Sequence, residues 1–482
     1  MRTTHTELLE QIRNHGVLTT KQQVSLTAKL STPSILAQIS FILMQYIDAS
    51  MVGHLGAECS AAVGLVSTST WLIGGLSESI VSGFAVMVAH RIGARDNKGA
   101  RELLRQSFTV CLLWGIILAG MGAVISDFLP HWLNGNDEIA PLASGYFMIF
   151  SLGIPLFQLN YLASSMLRSA GNVKFPSILN VVMCILDVIF NYFLINDTHE
   201  ITILGATFNM PGADLGVKGA ALGSVSAFTI TSLITTWYLV CKSKELKIYG
   251  ERGSFAPARE TLKEALKISV PIGFERSATS LAATIVVAIV APLGNTSIAA
   301  DTLAITIEGL CYMPGFGIAD AATTLVGQCV GAGRRELAIS FAKITVLSGM
   351  IVLTVMSAIM FASANIMMSL MTPVDEIIDL GAYILRIEAF AEPFFGAAIV
   401  GYGVFVGAGK SIAPNIINLS SMWLLRIPLS MVAAKHMGLT GVWIAMSSEL
   451  IVRGTIYLLY LRSNRWLNTK AMRNAIAKNR TL

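Results

Sequence analysis

Residues 31–53 read STPSILAQISFILMQYIDASMVG. As a helix this run is long enough, at 1.5 Å per residue, to cross the roughly 30 Å hydrocarbon core of a bilayer. It carries one charged residue, Asp48, and one proline, Pro33. At an offset of 238 residues the pattern returns as SVPIGFERSATSLAATIVVAIVA, residues 269–291, with Pro33 falling on Pro271. The same offset sets Leu55-Gly56 on Leu293-Gly294, Gly93-Ala94 on Gly331-Ala332, Ala170-Gly171 on Ala408-Gly409, and Asn180 on Asn418. Pro155 and Pro176 land on Pro393 and Pro414, far beyond chance for a residue present 14 times in 482. The chain is therefore an internal repeat of membrane-spanning segments.

Working outward, apolar runs predict spans at 31–53, 62–88, 106–128, 140–166, 176–196, 214–241, 266–290, 298–325, 340–364, 381–406, 414–434 and 438–462. The expected fold is an all-α membrane protein of twelve transmembrane helices in two pseudo-symmetric six-helix bundles. The expected organisation is an N-terminal segment 1–30, a first lobe 31–241, a charged linker 242–265, a second lobe 266–462 and a tail 463–482. Six spans per repeat is an even number, so the repeats are parallel, an arrangement suited to rocking about a central site. Composition agrees: 54% of residues are hydrophobic and 13% charged, against about 25% charged in soluble domains.

The net charge of +5 does not point to nucleic acid, because of where the bases fall. Of 34 Lys and Arg, Lys218 and Lys435 lie on one side and Arg276, Arg386, Arg426 and Arg453 within spans; the rest lie on the side of the termini. The positive-inside rule then puts both termini in the cytoplasm and the protein in the cytoplasmic (inner) membrane. Trp132 and Trp466, near span ends, read as interface anchors. The six Cys have no CxxC spacing and the seven His no metal-ligand spacing, so no metal, cofactor or enzyme active site is expected. Gly409-Lys410-Ser411 resembles the tail of a phosphate loop, but the first glycine would stand where Val404 is. A plain turn between spans is the expectation there.

Buried charge marks the candidate site. A carboxylate at a helix centre costs roughly 2.5 kcal/mol or more on the insertion scale, and such residues usually face a cavity. Asp48 shares a polar stripe with Ser34, Gln38 and Gln45. In the fifth span, Asp187 and Asn191 fall within about 20° of Asn180 around the helix. Carboxylate and amide oxygens suit a hard cation such as sodium, and an acid in apolar surroundings can hold a proton instead. The alternative is a hydrogen-bond cluster joining the fifth span to the first. Glu275 and Glu308 are candidate contacts for a cationic substrate, as are Gln38 and Gln45. Arg386 is expected to pair with Glu388 or with another helix. Pro33 and Pro271 are either gating bends or first-turn prolines.

These residues resemble the multidrug and toxic compound extrusion (MATE) family. The resemblance rests on DASMVGHLG at Asp48–Gly56 with AAVG at Ala61–Gly64, and on VAHRIGAR at Val88–Arg95 with its partner VGQCVGAG at Val326–Gly333. LRSAGN at Leu167–Asn172 and LGVKGAA at Leu215–Ala221 complete it. It implies an antiporter that exports small organic cations against a proton or sodium gradient, embedded as a monomer in the lipid bilayer. It also implies an ion site at Asp48, Asp187 and Asn180, in the manner of the DinF-type branch. The NorM-type branch has further acids in the seventh and tenth spans, where this chain has Thr279 and Phe395. A lipid-linked oligosaccharide flippase is the nearest alternative, though it would favour a cavity rich in Arg.

Overall fold

The computed structural model describes residues 5–133, 135–203 and 206–480. Its helices are α1 (His5–Arg13), α2 (Thr20–Gly53), α3 (Ala57–Gly93), α4 (Asn97–Ile125), α5 (Leu129–Trp132), α6 (Ala140–Ser169), α7 (Lys174–Ile195) and α8 (Gly216–Cys241). The second half holds α9 (Arg259–Val290), α10 (Asn295–Gly331), α11 (Arg335–Met371), α12 (Asp375–Glu388), α13 (Glu392–Gly407), α14 (Ile412–Ser421), α15 (Ile427–Arg462) and α16 (Lys470–Arg480). Helices are the only long elements because a span must satisfy every backbone polar group internally. Among the described residues the only strands form a hairpin in the loop after α7, with β1 (His199–Ile203) antiparallel to β2 (Ala206–Met210).

Among the described residues ten helices are long and apolar enough to cross a membrane, and α12 with α13 forms another crossing bent by 58°. The twelfth is hidden in the continuous stretch Ile412–Arg462. Within it Gly438 adopts φ 60°, ψ −142°. A Cβ on Gly441 would lie 2.3 Å from the Ala433 carbonyl oxygen, although a straight helix would hold those residues roughly 12 Å apart. The chain therefore reverses at Gly438, and α15 is the end of one span and the whole of the next. Before it, a π-helical turn at Met422–Arg426 joins α14 to α15.

Each half packs its own helices: α6 against α4 and α8, and α7 against α2 and α8, in the first; α11 and α13 against α10 in the second. The halves meet where α10 runs along α2 and α3, and α9 along α3. At the face that carries the termini the approach is backbone to backbone. A Cβ on Gly93 would lie 2.1 Å from the Gln328 carbonyl oxygen, and one on Gly331 2.0 Å from that of His90. These are the glycines paired by the repeat, so each half contributes the same close contact. Arg276 reaches Glu78 across the halves at 3.6 Å, and Arg168 reaches Asp320 at 3.8 Å.

The polar N-terminal segment is not a loose tail. Leu8, Leu9 and Ile12 of α1 are buried in the largest core cluster. Arg13 donates to the Ala170 carbonyl (3.0 Å), to Gln328 (3.3 Å) and to Glu245 (2.9 Å), which ties both halves and the linker together. The helix of the first span begins at Thr20, well before its apolar run, because Thr19 and Gln22 form a capping box there. One expectation is corrected, and one is resolved to its second alternative, since Arg386 reaches another helix. Trp466 is fully buried, packed at a tilt against Phe405 and donating to the Leu461 carbonyl, so it is a core residue and not an interface anchor; Trp132 is exposed. Arg386 does not pair with Glu388. It donates to Asn365 of α11 at 3.1 Å, because Glu388 turns inward and accepts from Ser447.

Candidate functional site

Asp48 lies one turn before the end of α2, and Asp187 and Asn191 stand one turn apart on α7. The Asn191 side-chain amide donates to both acids, 2.8 Å to Asp48 Oδ1 and 3.1 Å to Asp187 Oδ2. Asp187 and Asn191 are fully buried, while Asp48 is half-buried, so the cluster opens toward Asp48. Asp187 Oδ1 and Asn191 Oδ1 have no hydrogen-bond partner among the described residues. They leave two buried acceptor oxygens, Asn191 Oδ1 against α8 and Asp187 Oδ1 on an acid with a second carboxylate within direct electrostatic reach. Two carboxylates this close are relieved by one proton or one cation between them.

The packing of α8 makes the arrangement possible. Gly223 faces Asn191 so closely that a Cβ would lie 2.0 Å from its Oδ1. Gly219, one turn earlier, meets the Leu194 carbonyl in the same way. Sequence reading missed Gly223. The small-residue spacing Gly216, Gly219, Gly223 was the available signal, since such stripes let membrane helices approach. Tyr146 of α6, also unread, lies within electrostatic reach of both aspartates.

Asn180 shares the helix face but stands two turns from Asp187, about 10 Å along the axis. No hydrogen bond joins it to either aspartate among the described residues. Gln38 and Gln45 are half-buried on α2. Between them and Asp48, Tyr46 donates to the Thr306 carbonyl of α10 at 2.6 Å and ties the two halves near the acid pair. Pro33 and Pro271 lie well inside α2 and α9, so neither is a first-turn proline.

In the second half, Glu275 is buried and accepts from Asn418 of α14 at 3.0 Å, whose own oxygen accepts from Tyr457 at 2.9 Å. That places Glu275 in a hydrogen-bond chain across three helices. Glu308 of α10 is buried beside Glu388 and Glu392, which flank the break between α12 and α13. Both Glu392 oxygens are buried without a partner among the described residues. Glu449 is neutralised by Arg426 at 2.7 Å and Arg453 at 3.2 Å. Of these acids, Glu449 is ion-paired, Glu275 and Glu388 accept hydrogen bonds, and Glu392 has no partner among the described residues. Among the described residues no His, Cys, Asp and Glu are grouped as a multi-ligand metal site.

Comparison with known proteins agrees with the repeat. A family model described as MatE matches residues 33–193 and again residues 271–432. The two matches start 238 residues apart, the offset at which Pro33 falls on Pro271. The chain is 26% identical over 441 residues to a probable multidrug resistance protein NorM of Thermotoga maritima, covering 91% of this chain and 92% of that protein. It is 22% identical over 446 residues to the multidrug resistance protein MdtK of Yersinia pestis, covering 91% and 94%. Among solved structures, a MOP superfamily transporter from Pyrococcus furiosus superposes with a TM-score of 0.84 at 22% identity, covering 98% of this chain and 100% of that one. The bent form of the Vibrio cholerae MATE transporter VcmN superposes with a TM-score of 0.81 at 18% identity, covering 95% and 98%.

Proposed function

This chain belongs to the MatE family of multi-pass membrane transporters, and we propose that it is a secondary antiporter exporting small organic cations in exchange for protons or sodium. The observation that carries this reading is the bridge from Asn191 to Asp48 and Asp187. It holds two carboxylates together at low solvent access, where only a bound proton or cation makes the pair comfortable. The names of the two relatives given above, a probable multidrug resistance protein and a multidrug resistance protein, support an efflux role.

Coupling requires that ion binding favour one conformation over another. The acid pair joins α2 to α7, and α2 is also the helix on which α10 of the other half rests. A change in the charge of the pair therefore acts on the seam between the halves. In this reading residues 31–241 and 266–462 move as the two lobes, Pro33 and Pro271 are the bends, and both termini are cytoplasmic. Gln38, Gln45 and Glu308 contact the substrate; Glu275, held by Asn418, keeps its helices in register. Asn180 lines the path to the pair, and the protein works as a monomer.

The test is efflux from reconstituted vesicles with proton and sodium gradients imposed separately. Asp48→Asn and Asp187→Asn are expected to abolish gradient-driven efflux while leaving the protein folded. Full efflux by both variants would sink the assignment of the site.

A further inference from the structure

Two cavities lie on one pair of helices. α9 and α14 both begin at the face that carries the termini and run inward side by side. Where they begin, a cleft of about 1120 Å³ opens among the ends of α3, α10 and α13, the starts of α9 and α14, and α16. Its walls carry Arg91, Lys263, Lys267, Lys410, Lys470 and Arg473 against Asp96, Glu260 and Glu264. Asp96 neutralises Arg91 at 2.7 Å, and Glu264 meets Lys470 at 3.6 Å. Lys263, Lys267, Lys410 and Arg473 have no carboxylate within 4.0 Å among the described residues. Four cations thus stand against Glu260 alone. Lys410 belongs to the Gly409-Lys410-Ser411 turn, where Gly409 at φ 81° carries the chain round from α13 to α14. That turn makes no nucleotide loop, but it sets a lysine on the wall of a basic cleft.

Deeper along the same two helices lies an apolar groove of about 590 Å³. Phe274, Ala278 and Leu281 of α9 face Leu419, Trp423 and Leu424 across it. Phe274 is 66% and Leu424 76% exposed, so the groove opens on the outer surface. Lys267 and Ala278 are roughly 16 Å apart along α9 at 1.5 Å per residue. That is one leaflet's share of a hydrocarbon core about 30 Å thick. Cations at the membrane surface with a greasy channel directly below them match a molecule that is anionic at one end and a hydrocarbon chain at the other.

We propose that the seam between α9 and α14 binds one anionic phospholipid, its phosphate in the basic cleft and an acyl chain in the apolar groove. Lys263, Lys267, Lys410 and Arg473 hold the headgroup. A zwitterionic lipid is disfavoured because its ammonium would enter a cluster that is already positive. A free phosphate would use the cleft but leave the groove without a role. The site is separate from Asp48 and Asp187 and stands whether or not they couple an ion.

The experiment uses the full-length protein in nanodiscs of equal phosphatidylglycerol and phosphatidylcholine, released for native mass spectrometry. The wild type is expected to retain one phosphatidylglycerol in preference to phosphatidylcholine. The variant K263Q/K267Q/K410Q/R473Q is expected to lose that retention by at least about tenfold. The control K247Q/K343Q, which removes two exposed lysines outside the cleft, is expected to keep it. Ala278→Trp, which fills the groove and leaves every cation in place, is expected to weaken retention as well. All variants are checked by gel filtration and thermal unfolding in the same discs. Equal retention of the two lipids, or unchanged retention by the charge variant, overturns the proposal. So does displacement of the lipid by millimolar inorganic phosphate with Ala278→Trp silent, which would make the cleft a free-anion site.

Discussion

Replacing Asn191 by leucine keeps the volume of the side chain and deletes its amide. The structure sets the size of the effect. Asn191 donates at 2.8 Å to Asp48 and at 3.1 Å to Asp187. Hydrogen bonds to charged groups are worth about 1.5–3 kcal/mol each, so the ionised pair loses about 3–6 kcal/mol of support. At 1.4 kcal/mol per tenfold, the lower figure is already about a hundredfold in an equilibrium constant. If the pair is the coupling site, the ion concentration that half-saturates efflux moves by about two orders of magnitude in Asn191→Leu. Asn191→Gln, which retains a donor, moves it less. The assay is efflux from reconstituted vesicles across a titrated proton or sodium gradient, with substrate binding measured separately in detergent. A purely structural role would lower yield and unfolding temperature and leave the ion dependence alone. An ion dependence identical to wild type in a folded Asn191→Leu protein would refute the reasoning.

Gly223→Ala tests the same bridge by steric means. Its Cβ would sit 2.0 Å from Asn191 Oδ1, so the amide must rotate away or α7 and α8 must part; the half-saturating ion concentration is expected to move as far as in Asn191→Leu, with about 1–3 kcal/mol of overpacking cost seen in thermal unfolding. Glu449→Leu leaves Arg426 and Arg453 as unpaired buried cations, a loss of about 3–5 kcal/mol; chemical denaturation should show it, and adding Arg426→Leu should restore part of it. Gly93→Ala and Gly331→Ala each drive a methyl into the opposite half's backbone at the terminal face. Both should open that face and raise the rate at which Cys329, buried in the wild type, reacts with a maleimide; an unchanged rate would show that the contact does not hold the face closed.

Much of this molecule was legible without coordinates because the bilayer imposes simple rules. An apolar run of the right length must be a helix, and a carboxylate inside one must face something other than lipid. Those two facts delivered the spans and Asp48 with Asp187, and the prolines recurring at an offset of 238 delivered the two-fold repeat. The polar face of the fifth span was also right as geometry, since Asn180, Asp187 and Asn191 share it. Which of its asparagines touches both acids was not readable. Asn191 does so because α7 crosses α2 near their ends, while Asn180 lies two turns away.

The remainder came from contacts between segments far apart in the chain, which no local periodicity encodes. The buried side of α1 is set by residues near 170, 245 and 328. Trp466, placed by sequence at an interface, was taken into the core by Phe405. Glu308 meets Glu388 and Glu392 only in the packed fold, where α10 lies beside the break between α12 and α13. The basic cleft draws its cations from α3, α9, the turn before α14 and α16. Sequence by itself determined which stretches enter the membrane and which charges cannot rest in lipid, because those depend on transfer energies that each residue carries with it. Tertiary structure alone decided which of those groups meet, because helix rotation and crossing are fixed by shape complementarity among glycines and side chains brought together from both halves.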